Sequence, residues 1–433
     1  NGYNGFDIAT GGIMNIFERH ESAVRSYCRS FPVTFDRAEG SYLFGADKCA
    51  YIDFFSGAGA LNYGHNHPHL IHALTDYIAR GGVVHSLDLQ TRAKERFLEQ
   101  FVQTILTPRG MEYRLMFPGP TGANAVEAAL KLARKVTWRT NIAAFTGAFH
   151  GMTLGALAVT ANADKRAGAG VELGNVIRLP YDGFLGADTD SIDVISALLE
   201  TPGSGYDKPA AIVVETVQCE GGLNVSQNVF LQAIQSLCRR LECLLIVDDI
   251  QAGCGRTGSF FSFSESGIQP DIICLSKSLS GLGLPLSMVL IRPEFDKWKP
   301  GEHNGTFRGH NYAFVTATAA LDFWRGGTLE AQTMENSDFL RSRLNEIQAA
   351  NPATFSEVRG RGMVQGLACR SAQHGAAISK AAFEAGLIVE TCGPQDEVVK
   401  LLPPLTIERS VLNDGLSILS DAITGIAQNE RAA

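Results

Sequence analysis

No run in this 433-residue sequence is apolar for long enough to cross a bilayer, a task that takes about 20 consecutive apolar residues as a helix. Long runs of Lys or Arg are missing too, and the formal net charge is −8. That balance disfavours a phosphate-backbone partner such as nucleic acid, although a small anion can still find a local positive site. Residues 1–12 are polar and glycine-rich, without the charged-then-apolar layout of a signal peptide. The nine cysteines include no C-x-x-C pair, and their odd number argues against a disulfide framework. They read as reduced thiols, mostly small core residues, of a cytoplasmic protein. Internal repeats, low-complexity tracts and proline-rich linkers are also absent.

What remains is the composition of a globular enzyme, 45% hydrophobic and 19% charged, with length for two or three structural units. Short runs rich in Val, Ile and Leu at 113–117, 141–145, 211–215, 244–248, 272–275 and 288–291 read as buried strands. Helical patterns at 125–134 and 230–242 fall between them. Such alternation predicts an α/β fold with a mostly parallel sheet covered on both faces. Its active site belongs beyond the carboxyl ends of the strands. Before this region, 42–44 and 51–54 suggest a hairpin. After it come a long helix at 329–350, strands near 358–360, 387–389 and 398–402, and a last helix. The expected division is an N-terminal segment, 1–77, packing with a smaller α+β domain, 326–433, around a large domain, 78–325.

Three segments carry chemistry. In Ile272-Ile273-Cys274-Leu275-Ser276-Lys277 a lysine ends a buried apolar strand. An amine desolvated there has a lowered pKa and attacks aldehydes; taken alone, a lysine emerging into solvent is the commoner case. Leu244-Leu245-Ile246-Val247-Asp248-Asp249 ends in two carboxylates, and the interval to Lys277 fits one strand–helix–strand excursion. The pair could instead bind a divalent metal or cap a helix, but no further ligand lies at a suitable spacing nearby. Pro118-Gly119-Pro120-Thr121-Gly122-Ala123-Asn124 runs from a strand into a helix. It is either a plain cap with Thr121 or Asn124 or an anion site built from free N–H groups. An amine for a carbonyl, an acid for a ring nitrogen and a phosphate cradle are the three parts that pyridoxal phosphate needs. His65, His67 and His69 alternate as if on one strand face, but Pro68 breaks the run and a zinc site needs more ligands. Arg359 and Arg361 could bind a substrate carboxylate or be surface charges.

Val247-Asp248-Asp249-Ile250-Gln251-Ala252-Gly253-Cys254-Gly255-Arg256-Thr257-Gly258, followed by Leu275-Ser276-Lys277-Ser278, resembles the signature of the class III aminotransferases. These are fold-type I pyridoxal-phosphate enzymes, usually homodimers or larger. The stretches 57–65, 117–124, 303–310 and 396–405 look like the branch that exchanges an amino group between 2,4-diaminobutyrate and 2-oxoglutarate, used in ectoine synthesis, with relatives in siderophore pathways. The resemblance implies that Lys277 carries the cofactor covalently and later moves a proton on the substrate. It also implies that Asp248 pairs with the pyridine nitrogen, that Ile250 and Phe149 cover the two ring faces, and that Gln251 lies near the ring hydroxyl. Gly122 and Ala123 would give N–H groups to the phosphate, and Thr306 would reach the phosphate of a neighbouring subunit. Glu220 matches a gate glutamate that elsewhere pairs with arginine; Lys400 stands at the arginine position and cannot clamp a carboxylate with a two-pronged fork. Cys219 replaces a usual glycine. The implied reaction joins L-glutamate and L-aspartate 4-semialdehyde to L-2,4-diaminobutyrate and 2-oxoglutarate. Rival readings are an ω-aminotransferase for ornithine, acetylornithine or 4-aminobutyrate, or an aminomutase or decarboxylase on the same fold.

Overall fold

A computed structural model of the chain describes residues 15–432. The polar opening, 1–12, lies outside the described residues. Seven strands form the central sheet in the order Arg114–Met116, Met288–Ile291, Ile272–Leu275, Leu244–Asp248, Ala211–Val214, Ile142–Phe145, Val176–Leu179. All pairings are parallel except those of Met288–Ile291, which runs antiparallel to both neighbours. Six of the seven strands coincide with the apolar runs of the sequence to within a residue or so at each end. The edge strand Val176–Leu179 escaped, because Arg178 interrupts its apolar pattern; that guanidinium donates to the carbonyls of Phe145 and Val159.

Alternate residues of each strand enter different cores, as the pleat requires. Ile142, Ala144, Val213, Ile246 and Cys274 pack with Ala125, Ala129, Leu130 and Ala133 of the helix Gly122–Thr137. Ala143, Phe145, Ile212, Val214, Leu245 and Val247 pack on the other face with Phe230, Ile234 and Leu237 of the helix Asn228–Leu241. Burial on both faces explains why these strands read as continuous apolar runs.

The excursion between Leu244–Asp248 and Ile272–Leu275 differs from expectation. It holds turns and one short 3-10 turn, Ser264–Ser266, and no α-helix. Its backbone is steered by left-handed positions at Cys254, Gly255 and Gly258 and it wraps Arg256. That side chain is fully buried and donates to Met363 O at 3.0 Å, Pro403 O at 2.5 Å and Asn62 Oδ1 at 2.5 Å. Burial pulls its pKa down to about 9, so the group stays protonated at neutral pH.

Two smaller sheets flank the large one. Phe35–Glu39, Tyr42–Gly45 and Ala50–Asp53 form an antiparallel meander, extended by a parallel partner from far along the chain, Leu387–Ile388. Phe355–Arg361, Val364–Cys369, Val398–Leu401 and Glu390–Cys392 form an antiparallel sheet in that order, packed against the helices Thr328–Ala350 and Ala372–Glu384. The helix Arg409–Ala432 follows. Among the described residues no helix is long and apolar enough to cross a membrane.

Arg256→Lys is expected to cost about 2 kcal/mol or more. A single ammonium cannot reach three separated acceptors, and each buried acceptor left unpaired costs about 1–3 kcal/mol. A thermal midpoint equal to that of the wild type would refute this role for Arg256.

Candidate active site

Asp248 and Lys277 end adjacent parallel strands. Asp248 is in register with Cys274, and Lys277 follows three residues later. The lysine sits at φ +50°, a left-handed conformation that costs a non-glycine residue roughly 1–2 kcal/mol, and such strain gathers at functional sites. Its Nζ donates to Ala58 O at 2.6 Å. Burial lowers its pKa; Glu220 opposes that shift and Lys400 adds to it. Ala58 belongs to a run, Ser56–Gly59, in which all four residues have positive φ. The run is braced by Asp53 Oδ1, which accepts the N–H groups of Phe55 and Ser56 at 2.8 and 2.9 Å. The same Ala58 carbonyl accepts Gln251 Nε2 at 3.0 Å.

Asp248 is 6% exposed. Its Oδ2 lies 2.7 Å from His150 Nδ1, and its Oδ1 accepts the Ile250 N–H at 3.2 Å. Together with Lys277 it lines a cavity of about 190 Å³ whose walls include Gly122, Ala123, Phe149, Glu215, Glu220, Ile250 and Gln251. The helix starting at Gly122 lines this space with its first two residues, Gly122 and Ala123. A capping exchange between Thr121 and Asn124 (Thr121 N to Asn124 Oδ1, 3.2 Å) fixes the entry. A side chain at Gly122 would bring its Cβ to 3.0 Å from Ile250 Cδ1, so only glycine leaves the wall open. Glu215 accepts the Phe149 N–H at 3.1 Å and thereby holds the turn that carries the aromatic ring; burial and nearby Asp248 push its pKa well up.

A second cluster closes the cavity. Lys400 is fully buried, with Nζ 2.8 Å from Glu220 Oε1 and 3.0 Å from Glu390 Oε1. Burial drives the Glu220 carboxyl up, but the two lysines and the bonds from Lys400 and Gln251 outweigh it and hold it at about 2. Glu390 is pushed up to about 7, because burial outweighs the pull of Lys400. Cys219, beside Glu220, is buried, and its thiol is raised to about 12 by that burial.

The structure thus gathers nine of the ten residues to which the resemblance gives a role, Lys277, Asp248, Gly122, Ala123, Phe149, Ile250, Gln251, Glu220 and Lys400, in and around one cavity. Thr306 is exposed on a loop and does not line the cavity of its own chain. Arg359 bonds Glu357 and Gly222 beside a different cleft, and Arg361 donates to Ser262 O. Of the three histidines, His65 lies 2.7 Å from Asp53 Oδ2, His67 caps the helix Pro68–Ala79, and His69 meets Asp322. Sequence reasoning missed His150, Glu215, Glu390 and the Ala58 carbonyl. His150 sits next to Phe149, and Glu215 ends a recognised strand, so both carried a positional signal. Glu390 carried none without the strand register that sets it opposite Lys400.

The donor set fits pyridoxal phosphate. An amine, a carboxylate and a helix start share one cavity, apolar walls at Phe149 and Ile250 suit a flat ring, and Gln251 Oε1 is a buried acceptor without a partner. Comparison with known proteins agrees. The family model for class III aminotransferases matches residues 24–423. A diaminobutyrate–2-oxoglutarate transaminase of Halalkalibacterium halodurans is 51% identical over 417 residues, 96% of this chain and 98% of the relative. One from Streptomyces coelicolor is 54% identical over 412 residues, 95% and 97% of the two chains. In three dimensions the ornithine aminotransferase of Toxoplasma gondii superposes with a TM-score of 0.83 at 25% identity, covering 95% of this chain and 94% of its own. An S-selective transaminase from Bacillus megaterium shares the fold with a TM-score of 0.81 at 23% identity, covering 92% and 94%. With its strand-end lysine and carboxylate on this fold, the chain belongs to the class III aminotransferases.

Proposed function

We propose that this chain, with pyridoxal 5′-phosphate as cofactor, transfers an amino group from L-glutamate to L-aspartate 4-semialdehyde, giving L-2,4-diaminobutyrate and 2-oxoglutarate. The observation that carries the substrate assignment is identity of 51–54%, over nearly the whole chain, to relatives named for that exchange. Lys400 opposite Glu220 supports it against the ornithine, acetylornithine and 4-aminobutyrate readings, for which arginine is the expected partner. The site is read as that of a homodimer in the cytoplasm; the free thiols and the exposed Thr306 loop support this, with Phe307 beside Thr306 left 65% exposed.

When bound, the cofactor supplies an aldehyde that captures amines and a ring that draws electrons from the substrate carbon. Lys277 would hold it, and its amine would serve as the base for the proton at the amino-bearing carbon; burial lowers its pKa and favours the neutral, basic form. Asp248, fixed by His150 and the Ile250 N–H, keeps a proton on the ring nitrogen. Gly122 and Ala123 hold the phosphate with N–H groups at a helix start. Phe149 and Ile250 confine the ring, and Gln251 would accept from its hydroxyl. Glu220 covers Lys400 for one substrate and leaves it to the carboxylate of the other.

Assays of several amino donors against several keto acids test the substrate. The diaminobutyrate and 2-oxoglutarate pair should react fastest, and a clear preference for ornithine or 4-aminobutyrate would overturn the assignment. Borohydride should bleach the visible absorbance of the purified enzyme and leave the cofactor fixed on Lys277 in peptide mapping; a label on another lysine would remove Lys277 from its role. Asp248→Asn should still bind cofactor but turn over at least about a hundredfold more slowly, since its charge acts on the transition state. Turnover near wild type would exclude it as the ring-nitrogen partner. Thr306→Val should weaken cofactor binding by about ten- to a hundredfold, the worth of one charge-assisted hydrogen bond at roughly 1.5–3 kcal/mol. Mixed with Lys277→Ala subunits at limiting cofactor, it should regain activity, because one site of each heterodimer is then intact. Exchange of subunits without such recovery would show that Thr306 serves its own chain.

A further inference from the structure

Two carboxylates share the cation of Lys400, and they are held very differently. Glu390 faces Lys400 directly across an antiparallel pair of strands, Glu390–Cys392 against Val398–Leu401, so sheet register fixes their contact. Its side chain is 7% exposed, and its backbone is held opposite Lys400 by the strand ladder. Glu220 lies in a loop beyond the two-residue strand Val217–Gln218, lines the cavity and is 25% exposed. One carboxylate comes from a paired strand, the other from a loop at the cavity wall.

A dicarboxylate substrate can use Lys400 only if Glu220 withdraws first. A buried cation stripped of its only partner is very costly. Glu390 removes that cost, because Lys400 keeps a counter-ion at 3.0 Å throughout. Its negative charge also weakens the hold of Lys400 on Glu220 in the closed site. We propose that Glu390 is a positioning residue for the Glu220–Lys400 pair: it stays on Lys400 while Glu220 swings out, and so sets how quickly the site changes from the amino-acid substrate to the dicarboxylate. The inference rests on the reading of the site as a two-substrate aminotransferase. It concerns the rate of opening rather than the final contact, since Glu220 and a bound carboxylate carry like charge against the same Lys400–Glu390 pair.

The charged and titratable groups acting with Glu390 are Lys400, Glu220 and Lys277, with Tyr27 and Cys392 also within its electrostatic reach. Burial raises Glu390 to about 7. Below that pH it takes up a proton, ceases to be a counter-ion, and opening should slow.

The test uses holoenzyme and Glu390→Gln, which keeps shape and an acceptor but removes the charge. With glutarate, an unreactive dicarboxylate, stopped-flow absorbance should show association and dissociation both slowed by about tenfold or more, with Kd within about twofold of wild type. The half-reaction with 2-oxoglutarate should slow to match, while that with 2,4-diaminobutyrate stays within about twofold. In wild type alone, the glutarate association rate should fall as pH drops through about 7, and the variant should lack that fall. Equal slowing of both half-reactions, a changed Kd at unchanged rates, or a wild-type rate flat across that range would overturn the inference while leaving the proposed function standing. Absence of any 2-oxoglutarate half-reaction in the wild type would overturn both.

Discussion

One buried guanidinium holds the site's parts in relation to one another. Arg256 reaches Asn62 from the N-terminal part of the chain, Met363 from the turn between two strands of the C-terminal sheet, and Pro403 just after Lys400. Its planar fork satisfies acceptors in several directions at once, which an ammonium cannot do. The position of Lys400 relative to Lys277 therefore depends on a residue that faces neither substrate nor cofactor. This also accounts for an arginine within a signature of which Asp248, Ile250, Gln251, Ala252 and Lys277 line the cavity.

Around that anchor the site follows from strand-end geometry. Parallel pairing of Leu244–Asp248 with Ile272–Leu275 puts a carboxylate and an amine at neighbouring carboxyl ends. The left-handed run at Ser56–Gly59 then offers the Ala58 carbonyl to both Lys277 and Gln251. Positive φ at Ser56 and Ala58 is costly, and the cost is met by Asp53, whose two oxygens serve the turn and His65. Lys277 is thus aimed by a main-chain acceptor that two side-chain networks hold in place.

The central sheet was legible because its strands are buried on both faces and read as plain apolar runs. The lysine, the aspartate and the helix start were legible because each ends or begins such an element. What escaped was set by pairing between distant segments. Glu390 is an ordinary glutamate until register places it on Lys400, and Ala58 acts through a carbonyl that every residue has. The supposed helix between Asp248 and Lys277 failed for a related reason: spacing allows a helix, but glycines and the demands of Arg256 turn the chain into a wrapped loop. Thr306 lies on an exposed loop outside the cavity of its own chain.

The order in which strands pair has a consequence for biosynthesis. Arg114–Met116 has one neighbour in the sheet, Met288–Ile291, and Ala50–Asp53 gains its parallel partner only when Leu387–Ile388 has been made. At ribosomal rates of about 5–20 residues per second, those early strands wait on the order of tens of seconds with an edge unpaired. An unpaired edge invites other chains. A nascent chain of this protein is therefore open to misassembly at these edges until Met288–Ile291 and Leu387–Ile388 have been made.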